Sequence, residues 1–314
     1  MLIIDKYQLE STLPFQKLIP KLRTAFQADI TMPVRHHHNY ANPTIGVEST
    51  LLLMPAWQAG KYLGVKLVTV SPRNSQVNLP SIQGIYILFD AITGQALAHL
   101  DAPTLTNLRT AAASALASDY LSRPDSRALL MIGTGSLAPY LIRAHAAVRP
   151  LEEVYVWGRN PDKAKALVDS FQDRPFNISA VTHIEQAIKK VDIISCATLS
   201  QQALVLGNWL QPGQHIDLVG SYKPDMREAD DETILKANVF VDSLETAPIE
   251  SGDLAIPIAN GIFPISSIKG DLFGLCGGPC SGRKRLEEIT LFKSVGLALE
   301  DLAAAELAYE AVSK

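Results

Sequence analysis

The residues best suited to chemistry follow Ala128-Leu-Leu-Met-Ile-Gly133, where a short apolar run breaks into Gly133-x-Gly135-x-x-Ala138 and then a helical pattern. That order reads as a strand, a tight turn and a helix, the unit that receives a dinucleotide pyrophosphate. Gly133 turns the chain, Gly135 lets backbone N–H groups approach the phosphates, and the small Ala138 lets the helix pack close to its strand. Pro139 fits the first helical turn, where its missing N–H costs nothing. A second apolar run, Val154-Tyr-Val-Trp157, ends at Gly158-Arg159-Asn160, where such folds contact a ribose. An acidic side chain there would bind a free 2′-hydroxyl, whereas the cation Arg159 suits a 2′-phosphate. The expected cofactor is therefore NADPH, with NADH second.

Two other cations lie in unusual company. Lys66 is flanked by Val65 and Leu67, so it is either an outward residue with its stem along the surface or an inward cation that needs an anionic partner. Arg109 precedes Thr110-Ala-Ala-Ala113, small residues that permit close approach of another element or a ligand. No metal is expected. His36, His37 and His38 would alternate faces on an extended chain, and Cys276-x-x-x-Cys280 has no further cysteine or clustered histidine beside it. Ser281-Gly-Arg283-Lys-Arg285 reads as a solvated turn, and Lys17, Lys21 and Arg23 as a solvated helix face. Glu48 is a strand-edge residue or a pocket carboxylate.

The elements around these residues fall into two patterns. Leu2 to Ile4 read as a strand, and Pro14 to Ile30 as an amphipathic helix. Ser49 to Met54, Tyr62 to Val70, Gly84 to Asp90 and Ala96 to Leu100 read as an antiparallel sheet, with Asp90 to Gly94 a turn. Asp101 to Tyr120 is an alanine-rich helix. After Pro124, strands expected at 128–133, 154–157, 178–181, 193–197, 215–219 and 239–242 alternate with helical stretches, the pattern of a doubly wound parallel sheet. Leu286 to Val312 reads as a C-terminal helix broken near Gly296, packed on the first domain because the parallel sheet is complete without it. The fold class is thus α/β: a Rossmann sheet over 122–290 and a split α+β domain of 1–121 with 291–314.

With 314 residues, 47% hydrophobic and 19% charged, the chain has the composition of a globular protein. Its net charge of −4 gives no long-range attraction to nucleic acid or anionic membrane. Three cysteines without a signal-peptide pattern point to reduced thiols in the cytoplasm, and no run approaches the ~18 apolar residues of a membrane helix.

The chain resembles the ornithine cyclodeaminase and mu-crystallin family along nearly its whole length. Pro33-Val-Arg35, Leu52-Leu-Met54-Pro-Ala, Gly64-Val-Lys66, Leu108-Arg109-Thr110, Gly133-Thr-Gly135, Val219-Gly220-Ser-x-x-Pro224-Asp-x-Arg227-Glu228 and Thr290-Leu-Phe-Lys-Ser294-Val-Gly296 carry the likeness. The resemblance implies a homodimer of dinucleotide-dependent subunits, with Arg35, Lys66 and Arg109 holding a substrate α-carboxylate and Met54 and Tyr222 beside it. It implies cofactor contacts at Thr110, Gly133, Thr134, Gly135, Ser136, Leu137, Arg159, Asn160, Ala197, Thr198, Val219, Gly220, Ser221, Ser294 and Val295.

One departure separates the branches. Cyclodeaminases place an aspartate base two residues after the glycine of Val219-Gly220, and here that residue is Tyr222. A tyrosine of ordinary pKa, ~10, is a poor base at neutral pH. The expected activity is that of the reductase branch: NAD(P)H-dependent reduction of Δ1-pyrroline-2-carboxylate and Δ1-piperideine-2-carboxylate to L-proline and L-pipecolate. The rivals are an ornithine or lysine cyclodeaminase, an alanine-dehydrogenase-like enzyme using pyruvate and ammonia, and a mu-crystallin-like protein that binds NADPH and a hormone without turnover. Ammonia release, dependence on free ammonia, or tight NADPH binding without turnover would mark each in turn.

Overall fold

The computed structural model describes residues 1–43, 46–172 and 174–313. Its backbone contacts divide it into Met1–Thr110 with Gly296–Lys314, and Ala111–Val295.

The first unit is built on a six-stranded sheet of β1 (Leu2–Ile4), β2 (His36–Tyr40), β3 (Ser49–Trp57), β4 (Tyr62–Val70), β5 (Ile82–Asp90) and β6 (Ala96–Asp101), in the order β1-β6-β5-β4-β3-β2. The four antiparallel strands appear where alternation places them, and Asp90 Oδ1 closes the expected turn by accepting from Ile92 N and Thr93 N at 2.8 and 2.7 Å. β1 joins this sheet parallel to β6, and β2 carries the three histidines along its exposed edge. A helix that the sequence reading does not assign, α1 (Lys6–Thr12), is capped by Asp5, and the helical pattern from Pro14 forms the shorter α2 (Phe15–Ala25), which buries Phe15, Leu18, Ile19 and Leu22. The two sheet faces differ. Met54, Lys66, Tyr86 and Leu100 stand in one cross-strand row on the buried face, against which the C-terminal helix Ala298–Val312 packs. Leu53, Leu67 and Ile85 stand on the other face and are partly exposed.

The second unit holds an eight-stranded, all-parallel sheet of β7 (Ala128–Ile132), β8 (Glu153–Trp157), β9 (Asn177–Ala180), β10 (Ile193–Cys196), β11 (His215–Leu218), β12 (Asn238–Val241), β13 (Gly270–Asp271) and β14 (Thr290–Lys293). Its order is β13-β12-β14-β11-β10-β7-β8-β9, so the chain leaves β7 first toward β8 and β9, then returns to lay β10 on the other side. The opening between β7 and β10 is the topological switch point, where parallel sheets bind ligands beyond the carboxyl ends of their strands. α3 (Ala102–Leu121) precedes this sheet, and α4 (Ala138–Val148) and α5 (Pro161–Asp169) follow β7 and β8.

One sequence expectation fails here. The stretch from Leu286 does not begin as a helix, and the parallel sheet is not complete without it. Thr290–Lys293 forms β14, inserted between β11 and β12, and the helix starts only at Ala298. Four consecutive buried residues carry no periodicity, so a central strand of this length cannot be told from a helical segment by pattern.

Candidate active site

In the first unit the buried row across the sheet is interrupted by charge. Lys66, fully enclosed, places Nζ 2.7 Å from Asp301 Oδ2. Arg109 donates from Nε to Asp301 Oδ1 at 2.9 Å and from Nη1 to Glu300 Oε2 at 2.7 Å, leaving Nη2 without a hydrogen bond among the described residues. The half-buried Arg35 donates to the Gly296 carbonyl. One segment, Gly296 to Asp301, thus meets all three cations, which come from the stretch before β2, from β4 and from α3. Gly296 has φ +82°, and a Cβ there would lie 2.4 Å from Arg109 Nη1, so the backbone and the guanidinium both require glycine.

Burial pushes the Lys66 ammonium down, the Arg109 charge adds to this, and Asp301 opposes both; the result is a pKa of about 8. Burial also works against the Arg109 charge, but Asp301 and Glu300 more than offset it and keep the guanidinium protonated. Met54 pairs with Lys66 across β3 and β4 on the same face. Tyr86 pairs with Lys66 from β5, and its buried hydroxyl has no hydrogen-bond partner among the described residues. A Cβ on Gly64 would lie 1.8 Å from that hydroxyl, which explains the glycine two residues before the lysine.

In the second unit the turn after β7 has the expected form. Gly133 has φ +120°, and a Cβ there would stand 2.4 Å from the Ala197 carbonyl at the end of β10. A Cβ on Gly135 would meet nothing within 4 Å. No protein neighbour therefore requires that glycine, and the open space beside it fits a pyrophosphate approaching backbone N–H groups. Thr134, Ser136 and Leu137 complete the turn, Leu137 precedes α4, and Pro139 occupies its first turn. Arg159 is exposed and has no ion pair or hydrogen bond among the described residues. Asn160 caps α5 by accepting from Asp162 N at 2.9 Å.

The loops after β10 and β11 are joined by the buried Glu228. Its Oε1 accepts from Thr198 N at 2.6 Å and Thr198 Oγ1 at 2.8 Å, and its Oε2 from Gly220 N at 2.7 Å and Ser221 N at 3.3 Å. Asp253 Oδ1 accepts from the backbone N–H of Glu228 and of Ala229, while its Oδ2 stands 3.4 Å from the buried Lys293 ammonium. Burial, with Asp253 adding and Lys293 opposing, raises the Glu228 carboxyl to about 7. Ser221 turns its hydroxyl inward, 2.7 Å from the Met226 carbonyl. Ala197 and Val219 lie one residue beyond β10 and β11. Ser294 follows β14 with a buried hydroxyl that has no hydrogen-bond partner among the described residues, and Val295 N donates to Asp242 Oδ2 at 2.7 Å. Thr110 adjoins Arg109 on α3 and is half-exposed.

Residues 3–314 match the ornithine cyclodeaminase/mu-crystallin family. The chain belongs to that family. It is 39% identical over 313 residues to a Δ1-pyrroline-2-carboxylate reductase of Colwellia psychrerythraea, covering 99% of both chains. Among solved structures it is similar to the Thermococcus litoralis Δ1-pyrroline-2-carboxylate reductase in complex with NADH and L-proline, with a TM-score of 0.92 and 34% identity over 99% of this chain and 97% of that one. An archaeal alanine dehydrogenase dimer with bound NAD is also similar, with a TM-score of 0.90 and 30% identity over 99% and 95% of the two chains.

Within this family the chain's Tyr222 is half-buried, and burial and the neighbouring Asp225 raise its phenol further. Its phenolate, the form that could act as a base, is less populated at neutral pH than that of an exposed tyrosine. Four buried residues went unassigned in the sequence: Glu300, Asp301, Asp253 and Lys293. Glu300 and Asp301 did leave a signal, as adjacent acids in an otherwise apolar stretch, Ala298-Leu-Glu-Asp-Leu-Ala-Ala-Ala305. Acids on a helix side that must be buried demand cations.

Proposed function

We propose that the protein is an NAD(P)H-dependent imino acid reductase that converts Δ1-pyrroline-2-carboxylate to L-proline, and its six-membered homologue Δ1-piperideine-2-carboxylate to L-pipecolate. The observation that carries this is Lys66, a buried ammonium beside Arg109 whose pKa of about 8 lets it hold or release a proton near neutrality. The cofactor supplies a hydride. Reduction adds that hydride to the imine carbon and one proton to the ring nitrogen, so C=N becomes CH–NH. A protonated imine accepts hydride far better than a neutral one, and Lys66 keeps the proton at nitrogen. Arg35 and Arg109, whose Nη2 remains available, hold the α-carboxylate. The names of the Colwellia and Thermococcus relatives support the same reaction. NAD(P)H oxidation over both cyclic imines, pyruvate with ammonia, and ornithine with NAD⁺ tests it. Turnover of the cyclic imines is expected; turnover only of pyruvate with ammonia, or ammonia release from ornithine, would reject it.

Gly133, Gly135 and the loops at Thr198 and Gly220 would hold the dinucleotide, with Arg159 on its 2′-phosphate. Arg159→Ala should raise KM for NADPH about tenfold, the loss of one exposed charge-assisted contact, and leave KM for NADH nearly unchanged. Equal effects on both would remove that role. The low cysteine count, three in 314 residues, supports a reducing compartment, the cytoplasm.

The exposed apolar face of the first sheet supports a homodimer. Leu53, Leu67 and Ile85 on three adjacent strands form a surface that a monomer would leave in water. Light scattering at micromolar concentration should report a dimer, and Leu67→Asp should shift it to monomer. A fully active monomer of the unaltered protein would contradict this.

A further inference from the structure

The cations assigned to substrate binding are not isolated charges. One carboxylate lies between two of them: Asp301 takes Arg109 Nε on Oδ1 at 2.9 Å and approaches Lys66 Nζ with Oδ2 at 2.7 Å. Its side chain is fully buried, and it sits in the first turn of a fifteen-residue helix, where the helix dipole favours a negative charge. Glu300, beside it, accepts from Arg109 Nη1 at 2.7 Å. We propose that Asp301 is the positioning residue of the site, fixing the separation of Lys66 and Arg109 and keeping Lys66 protonated at neutral pH.

The physical argument is a balance at Lys66. The groups that face it are Arg109 from α3, Asp301 from the C-terminal helix, Arg35 from the stretch before β2, and the neutral Tyr86 hydroxyl from β5. Burial, Arg109 and Arg35 all disfavour the ammonium, and Asp301 favours it through its charge and a hydrogen bond. Removing the Asp301 charge leaves the opposing influences intact. Lys66 then loses its proton at lower pH, and its stem loses the anchor that aims it. The inference rests on the reductase reading for its catalytic consequence, but the charge of Lys66 is measurable without turnover.

The experiment is lysine-selective carbon-13 NMR of the full-length protein, with the Lys66 signal assigned by its absence in Lys66→Met. In the unaltered protein Lys66 should titrate near pH 8. In Asp301→Asn its acid dissociation constant should rise at least tenfold, and Asp301→Glu should restore much of the shift. Arg109→Met, which removes the like charge and keeps Asp301, should move the titration in the opposite direction. This second variant tests the balance even where Asp301→Asn folds poorly. An unmoved Lys66 titration in Asp301→Asn, or one that moves the same way in Arg109→Met, overturns the proposal. The pH profile of kcat separates the two levels of inference. A high-pH limb that follows the NMR titration supports both. A titration that moves while the limb stays fixed supports the role of Asp301 and rejects Lys66 as the proton carrier.

Discussion

Lys66→Met should lower kcat for cyclic imine reduction by about 100-fold or more, the low end of what a positioned acid contributes, while also raising KM. Methionine keeps the stem and removes the charge and its three donors. The fold should survive, because Asp301 retains Arg109 on its other oxygen and the unfavourable burial of an ammonium is relieved. In the unaltered enzyme the same proton has a pH signature. Burial first, then Arg109, bring Lys66 down to about 8, so the protonated form dominates below that pH and is lost above it. kcat should therefore fall as pH rises through about 8. Lys66→Arg should recover KM better than kcat, since a guanidinium restores charge without a transferable proton. If Lys66→Met changes KM alone, the lysine is only a carboxylate anchor and the proton comes from elsewhere.

The parts of the fold that follow local rules were legible. The strands of the first sheet alternate, the glycine turn after β7 fits one geometry, and both faces of the central parallel strands are apolar because both are covered. What escaped depends on partners distant in sequence. β14 is four residues with no period, and its place between β11 and β12 is set by pairing with chain some 50 to 75 residues away. β1 was legible as a strand, but its parallel pairing with β6 crosses nearly 100 residues. The site divided in the same way. Lys66 could face outward or inward on pattern alone, and an inward lysine needs an anionic partner that no local pattern identifies. Asp301 lies 235 residues away, and its place beside Glu300 in an apolar helix signals buried cations without saying which ones. Glu228 stood inside a recognisable motif, yet its four donors belong to loops that only the sheet brings together.

Glu228→Gln should weaken NADPH binding at least tenfold at pH 8 with little loss of thermal stability, read by fluorescence titration and thermal unfolding. Each Glu228 oxygen accepts two hydrogen bonds, one pair from Thr198 and the other from Gly220 and Ser221. A carboxamide has one acceptor oxygen, so whichever way it turns, its NH₂ faces two donors. One loop beside the switch point must then move, and the Thr198 and Gly220 backbones lose the spacing proposed to receive the cofactor. Such a lost anchor would ordinarily cost about 1–3 kcal/mol for each buried polar group left unsatisfied. The charge works the other way. The folded carboxyl titrates at about 7, above its ordinary value near 4.5, chiefly because of burial. Its contribution to stability is therefore full below about 4.5 and is lost as pH rises through about 7, where the buried group ionises. Glutamine never ionises, so at pH 8 the variant escapes that loss, and the relief offsets the missing acceptor. Binding and stability should separate: affinity for NADPH falls while the melting temperature holds. A variant that melts far below the unaltered protein would make Glu228 a structural tie, and one that binds NADPH normally would show that the two loops keep their spacing without it.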